Sequence, residues 1–160
     1  MAHTMPIGRT QKRVQGGSAF LWALILLLVL TLAMGELLEL QSTRTRRFLE
    51  GELLWTGEQY RNAIKRYYEA SPGTVRQLPR SVEDLLEDPR LLTLTRHLRA
   101  PYPDPLTNAP FETIHDAADN MIGVRSLSEQ TPLKSGNFPP RYKHFEQATT
   151  YGDWEFIFLP

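Results

Sequence analysis

An unbroken apolar stretch close to the N-terminus constrains the fold of this chain more than any other feature. Residues 18–35, SAFLWALILLLVLTLAMG, carry no charge, and Thr31 is the only polar residue among residues 19–34. As an α-helix with a rise of about 1.5 Å per residue, this stretch would be about 27 Å long, close to the ~30 Å hydrocarbon core of a bilayer. We therefore predict a transmembrane helix over residues 18–35.

Basic residues precede the apolar stretch and acidic residues follow it. Arg9, Lys12 and Arg13 lie before the stretch, whereas Glu36 and Glu39 lie just after it. Because loops rich in lysine and arginine stay in the cytoplasm, this asymmetry favours a cytoplasmic N-terminus and an exported C-terminal part. The arginines at positions 44, 46 and 47 act against that orientation.

The helical pattern continues beyond the apolar stretch. There is no proline between residues 36 and 68, and apolar residues recur at helical spacings on one face, namely Leu49, Leu53, Tyr60, Ile64 and Tyr67. We predict an amphipathic continuation over residues 36–72, ending at the SPG sequence of residues 71–73. Trp55 and the tyrosines of this segment are expected to pack in the core against a sheet.

A short helix and a rigid turn region are predicted next. Ser81 is a candidate N-cap, Asp84 stands where it could close a capping box, and Pro89 ends the pattern. The following sequence APYPDPLTNAPF, residues 100–111, is too rich in proline to continue a helix. We expect a structured loop there.

The C-terminal part of the chain has the period of β-strands. Strands are predicted at residues 111–114, 121–126 and 154–159, the first two joined by the hairpin sequence HDAADN. The long loop before the last strand should be held down by its own aromatic residues, Phe138, Tyr142 and Phe145. Residues 73–160 thus predict a loop and antiparallel-sheet region of three or four strands, and the whole chain predicts an α+β fold with a long N-terminal helix packed on this sheet.

Composition argues against several classes of function. The absence of cysteine excludes disulfides, thiolate metal sites and cysteine nucleophiles. A net charge of zero gives no general attraction to nucleic acid. The four histidines are scattered, and no nucleophile elbow or phosphate-binding loop is present. We therefore predict a protein that is not an enzyme and binds neither nucleic acid nor a small-molecule substrate.

The order of these segments resembles a known family. A basic leader, a glycine, an apolar helix, an amphipathic helix, a proline-rich loop and a small antiparallel sheet are similar to a pseudopilin of a type II secretion system, or more broadly to a type IV pilin-like protein. The resemblance covers nearly the whole chain from Lys12 onward. It is strongest in GELLWTGEQYRNAIKRYYEASPG, and extends to YPDPLTNAPF, IGVRSLSEQTPLKSGNF and YGDWEFIF.

The resemblance implies processing by prepilin peptidase on the cytoplasmic side of the inner membrane. By the family pattern, residues 1–17 form the leader, cleavage follows Gly17, and Ser18 becomes the new, methylated N-terminus; Gly16 is the alternative residue before the cut. The apolar helix, including Phe20, Leu21, Trp22 and Leu24, would then assemble with other pilin or pseudopilin subunits and with the inner-membrane assembly platform. The C-terminal domain would be periplasmic.

Two positions depart from the family pattern. The family favours phenylalanine first and glutamate fifth in the mature chain, where this sequence has Ser18 and Trp22. In the family, that glutamate neutralises the terminal ammonium of a neighbouring subunit, and an unpaired buried charge costs several kcal/mol. The resemblance is therefore to a minor or divergent subunit rather than to one that forms a long homopolymer.

Calcium binding and two other functions are the alternatives to this assignment. Major pseudopilins bind calcium in a loop between their last strands, and the loop residues here that offer oxygen ligands are Asp104, Asp116, Asp119, Asn120, Glu129 and Asp153. They form no compact ligand repeat, so we expect no cofactor. The alternative functions are a signal-anchored periplasmic scaffold that does not polymerise, and a secreted hydrolase or lectin cut near Gly35.

Overall fold

The computed structural model describes residues 16–160, apart from the side chains of residues 16–18 and 32–41. The chain divides into two compact units, Met1–Ser42 and Thr43–Pro160. Helices accompany a three-stranded antiparallel sheet, which confirms the predicted α+β class. Of the predicted leader, residues 1–15 lie outside the described residues.

Helix α1 (Gly16–Glu69) contains 54 residues, and neither Gly51 nor Gly57 interrupts it. It ends three residues before the predicted end at residue 72. Pro72 lacks the N–H group that a further turn would need, and Gly73 has a positive φ of 81°, which favours glycine. Arg66 in the last turn donates a hydrogen bond of 2.7 Å to the carbonyl oxygen of His97, and its charge suits the negative end of the helix.

Helix α2 (Val82–Leu86) is the predicted short helix, but the predicted capping box is wrong. Ser81 is the N-cap residue, yet its side chain makes no capping hydrogen bond. Asp84 instead accepts a hydrogen bond of 2.8 Å from the backbone N–H of Arg80, one residue before the N-cap. The helix is held mainly by Leu85, which is fully buried.

The sheet consists of β1 (Glu112–His115), β2 (Met121–Arg125) and β3 (Phe156–Ile157) in that spatial order, all antiparallel. The first two strands and their hairpin agree with the prediction to within one residue. Asp116 closes the hairpin by accepting hydrogen bonds from the backbone N–H groups of Ala118 and Asn120. Asp119 supplies the left-handed residue of the turn, with φ of 62°.

Strand β3 is much shorter than the predicted strand over residues 154–159. The backbone N–H groups of Trp154 and Glu155 bond to Tyr151 and Asp153, in the 3₁₀ turn Tyr151–Asp153 that precedes the strand. Those two N–H groups are therefore not available to the sheet. The side chains of residues 154–159 nevertheless alternate as in a strand with one buried face: Trp154, Phe156 and Phe158 are buried, whereas Ile157 is half-buried and Leu159 is exposed.

The core of the second unit lies between α1 and the sheet. From α1 it takes Leu53, Tyr60, Ala63, Ile64 and Tyr67, and from the sheet it takes Met121, Val124 and Phe156. The predicted apolar face of the helix is thus confirmed, except that Leu49 is only half-buried. The core prediction for Trp55 is wrong: this side chain is 51% exposed, because it lies beside Tyr102 of the proline-rich loop rather than under the sheet.

The long loop before β3 is held down by aromatic residues, as predicted. It contains a second 3₁₀ segment, Pro140–Gln147, in which Tyr142 and Phe145 are buried. The ring of Phe145 stacks on Tyr142 at 4.9 Å and on Trp154 at 5.4 Å between centroids. This stack joins the loop to the core.

Candidate functional site

The apolar helical segment of the first unit is the candidate functional site. All of residues 19–31 are exposed, including Phe20 at 65%, Leu21 at 61%, Trp22 at 71% and Leu24 at 48%. The segment is apolar around its whole circumference, and a helix of this kind is normally buried in a protein or in a membrane. These four predicted assembly residues therefore lie on a surface that needs a partner.

The size of this exposed surface makes water a poor environment for it. Ten large apolar side chains between Phe20 and Leu30 are about half exposed or more. Since full burial of one such side chain contributes about 1.5–3 kcal/mol, covering the segment is worth on the order of 10 kcal/mol. This favours association with lipid or with apolar helices.

Thr31 fits the same surroundings. Its hydroxyl donates to the backbone carbonyl oxygens of Leu27 and Leu28, at 3.1 and 2.8 Å. In an apolar medium an unpaired hydroxyl would cost several kcal/mol, and these local bonds remove that cost. The one polar side chain of the segment is therefore compatible with lipid.

In the part of the chain that is described, no helix carries an apolar stretch long enough to cross a membrane. The predicted span of residues 18–35 lies only partly in that part, because the side chains of residue 18 and of residues 32–35 lie outside it. The predicted cleavage site has the same status: Gly17 and Ser18 belong to α1, but their side-chain surroundings lie outside the described residues.

The six candidate calcium ligands do not form one site. The carboxylate of Asp104 is buried and accepts hydrogen bonds from Thr107 and Ser126. Asp116, Asp119 and Asn120 share the hairpin turn, where the Asn120 amide donates to Asp116. Asp153 accepts from the N–H groups of residues 149 and 150 in a third turn, and Glu129 is exposed elsewhere in the long loop. Within the described residues, no three acidic or histidine side chains are grouped to hold a metal ion.

Sequence reasoning missed a buried ionic cluster at the end of α1. The two carboxylate oxygens of Asp88 accept hydrogen bonds from Nε and Nη2 of Arg90, at 2.9 and 2.7 Å, and Oδ2 lies 3.0 Å from Nε2 of His97. Arg90 also donates to the carbonyl oxygen of Tyr67 and to the hydroxyl of Ser71, both at 2.8 Å. The hydrogen bonds from Arg90 hold the pKa of the Asp88 carboxyl well below its usual range, against the opposing effect of burial. The cluster fastens the loop after α2 to the C-terminal end of α1.

A second buried carboxylate fastens the long loop to α1. Glu50 accepts hydrogen bonds from the backbone N–H groups of Leu133 and Lys134 and from the hydroxyl of Tyr151, at 2.6, 2.9 and 2.9 Å. Burial is the main cause that raises the pKa of Tyr151, and the bond to Glu50 adds to it. A lone glutamate on a helix gives no sequence signal for this role, because its partners are more than eighty residues away.

The structure also contains a groove that the sequence did not indicate. We call it the aromatic groove: a cavity of about 400 Å³ beside α1, lined chiefly by Tyr60, Tyr102, Phe111, Pro101, Pro103 and Pro110. Its one charged lining residue is Glu83. The proline cluster at residues 100–111 predicted a rigid loop, but the placement of that loop against Tyr60 depends on the tertiary structure.

Comparison of the chain with protein-family models, curated protein sequences and solved structures found no match.

Proposed function

We propose that this chain is a non-enzymatic, pseudopilin-like subunit of a type II secretion or type IV pilus-like filament. Its basic leader would be removed by prepilin peptidase, and its apolar helix would lie in the inner membrane before assembly. The second unit would be periplasmic. The observation that carries the proposal is the helical segment of residues 19–31, which is apolar and exposed on every side.

The membrane and the filament would give this segment similar apolar surroundings. Lipid tails and apolar helices both cover its side chains, so transfer from one to the other depends on packing rather than on a gain in apolar burial. The internal hydrogen bonds of Thr31 serve equally in both. A helix of this composition can thus anchor a precursor and later form the contact between subunits.

The second unit supports the proposal at the level of architecture. The last part of α1 packs its apolar face on a small antiparallel sheet, and a proline-rich loop leads into β1. This is the arrangement that the resemblance implies. Ser18 and Trp22 depart from the family pattern, so we propose a minor or divergent subunit rather than the main subunit of a shaft.

The N-terminus of the mature chain tests the proposal. We expect mass spectrometry of the protein from cells that contain prepilin peptidase to show a chain beginning at Ser18. Gly17→Val should abolish cleavage, and the chain should stay intact in a strain that lacks the peptidase. Gly16→Val is the matched control, because the same change one residue earlier should leave cleavage in place.

Two other outcomes would contradict the proposal, and a third would change only the position of the cleavage site. An intact leader in the presence of the peptidase would favour the anchored scaffold that does not polymerise. A mature chain that begins near Glu36 and is free in the periplasm would favour a secreted protein. Loss of cleavage only in Gly16→Val, with Gly17 as the new first residue, would keep the function and move the cleavage site.

A further inference from the structure

A second cavity, of about 550 Å³, lies beside the C-terminal end of α1. Its lining is rich in arginine and tyrosine, and the residues that carry charge or an aromatic ring are Tyr67, Tyr68, Arg76, Arg80, Asp84 and Arg90. We call this cavity the arginine pocket. Arg76, Gln77 and Arg80 are exposed, so the pocket opens at the surface, and a ligand can enter it as part of a longer chain.

The charges at the arginine pocket do not cancel. Arg90 is compensated by Asp88, whose Oδ2 lies 2.7 Å from its Nη2. Asp84 is the one acidic residue in the lining, and its carboxylate accepts a hydrogen bond from the backbone N–H of Arg80. The exposed Glu83 and Glu87 of α2 lie outside the lining. The three arginines of the pocket thus meet two carboxylates, which leaves one positive charge uncompensated.

Two of the three guanidinium groups have hydrogen-bonding capacity to spare. Arg76 donates through Nη1 to the carbonyl oxygen of Glu69, the last residue of α1. Within the described residues, the hydrogen bonds of Arg80 are all made by its backbone. A guanidinium group carries five N–H donors, so both side chains keep donors for a ligand. Like charges at one cavity also repel each other, and a bound anion lowers this repulsion.

The backbone that carries Arg80 is fixed before anything binds. Its N–H donates to Asp84 at 2.8 Å, and its carbonyl oxygen lies 3.3 Å from Nε2 of His115. The preceding residue, Pro79, is buried, and its carbonyl oxygen accepts a hydrogen bond of 2.8 Å from the N–H of Met121 in β2. A preformed site loses little conformational entropy on binding.

The chemistry of the arginine pocket suits a carboxylate that has an apolar neighbour. The planar fork of a guanidinium group matches carboxylate and phosphate oxygens with two parallel hydrogen bonds. One uncompensated positive charge is balanced by a monoanion, whereas the second negative charge of a phosphate would meet the carboxylate of Asp84. Tyr67, Tyr68, Leu78 and Pro89 supply the apolar part of the lining. This combination favours an acidic side chain next to an apolar one.

We propose that the arginine pocket binds an acidic side chain of a partner protein, presented beside an apolar residue. The carboxylate pairs with the guanidinium groups of Arg76 and Arg80, and the apolar residue packs against the tyrosine rings. The inference goes beyond the proposed function and does not rest on it, since the pocket lies in the second unit. It can hold or fail whether or not the leader is removed after Gly17.

Titration of the full-length chain in uncharged detergent micelles with a blocked dipeptide tests the proposal. The probe is acetyl-leucyl-glutamate amide, and its matched control, acetyl-leucyl-glutamine amide, has nearly the same shape and no charge. We expect the probe to shift the NMR signals of the Nε–H groups of Arg76 and Arg80 to saturation, and the control to need a concentration about tenfold higher or more, because it lacks charge-assisted hydrogen bonds. Inorganic phosphate, as a third ligand, should bind more weakly than the probe.

Removal of one guanidinium group gives the second readout. Arg80→Gln should raise the dissociation constant of the probe about tenfold, measured on the Nε–H signal of Arg76, and it should leave the fold intact because the bonds of Arg80 are made by its backbone. Arg99→Gln is the matched control, because Arg99 is an exposed arginine of the same unit outside the lining. Equal binding of the two dipeptides, tighter binding of phosphate than of the probe, or equal effects of the two variants would each overturn the proposal.

Discussion

At position 57, the lack of a side chain lets Phe156 lie directly against α1. A Cβ atom at Gly57 would overlap several atoms of the Phe156 ring, which is itself fully buried. At Gly51, six residues earlier on the same helix, a Cβ atom would meet nothing within 4 Å. The two glycines of this helix thus have different roles, and packing requires glycine only at position 57.

We expect Gly57→Ala and Gly51→Ala to change stability in opposite directions. Alanine gains about 1 kcal/mol over glycine in a helix, and this gain should appear in full at Gly51. At Gly57 the overlap with Phe156 costs about 1–3 kcal/mol and outweighs the gain in most of that range. Urea unfolding of the full-length chain in detergent, followed by near-ultraviolet circular dichroism, measures the stability change caused by each variant. If Gly57→Ala instead stabilises the protein, the Phe156 ring can move to accommodate the new side chain.

At the scale of elements, the ionic cluster of Asp88, Arg90 and His97 joins the end of α1 to the loop after α2. Arg90 brings a positive charge to the C-terminal carbonyl groups of the helix and lies over the ring of Tyr67, with its Cζ 3.4 Å from the centroid. The Asp88 side chain is fully buried. Removing one partner of such a pair leaves a buried charge without compensation, so the connection depends on the ionised carboxylate.

The depressed pKa of Asp88 predicts how this connection depends on pH. The folded state favours the ionised form of Asp88 more than the unfolded state does. The resulting contribution to the free energy of unfolding is fully present above the ordinary aspartate pKa of about 3.9, and it decreases as the pH falls toward the lowered pKa of the folded state. Asp88→Asn should lower the free energy of unfolding by about 3 kcal/mol at pH 7, and the difference in this free energy between the variant and the wild type should become smaller below about pH 4. Urea unfolding across this pH range measures the difference.

Glu112→Gln is the control for the Asp88 variant. Glu112 pairs with Arg125 at 2.6 Å, but both side chains are about 40% exposed. Water screens this pair, so its loss should change stability much less than the loss of the buried pair. Equal effects of the two variants, or a difference at Asp88 that does not change with pH, would contradict a buried ionic role for Asp88.

At the scale of the whole molecule, the two units present different surfaces for association. The first unit offers an apolar helical segment with no charge, and the second offers the aromatic groove. In the proposed function, Ser18 carries the terminal ammonium after cleavage. Trp22 gives a neighbouring subunit no carboxylate to pair with that charge.

We therefore expect Trp22→Glu to increase association between copies. The new carboxylate would pair with the ammonium of a neighbour, and such a pair lowers the cost of burying both charges between helices. Chemical crosslinking in membranes that contain prepilin peptidase measures the change, with Trp22→Gln as a control of similar polarity and no charge. If the two variants crosslink alike, the missing carboxylate does not limit assembly.

Much of the second unit could be predicted from local sequence. The helical spacing of Leu53, Tyr60 and Ile64 identified the buried face of α1. Alternation and turn residues identified the three strands and the hairpin at residues 116–120. These features depend on the spacing of apolar residues within one segment. That spacing is a property of the local sequence and does not depend on what the segment packs against.

Other features were decided only by the tertiary structure. One is the partner of Trp55, whose half-exposed ring packs against Tyr102 because a distant loop lies along that flank of α1. Strand β3 is short because a 3₁₀ turn uses the backbone groups that a longer strand would need.

What the sequence by itself determined was which segments are apolar, helical or extended, since these properties come from neighbouring residues. What only the tertiary structure decided was which polar groups meet: Asp88 with His97, Glu50 with Tyr151, and Tyr60 with Tyr102. These partners lie between nine and about a hundred residues apart in the chain. Their hydrogen bonds form only when packing of the apolar faces has already brought the segments together, so no local pattern records them.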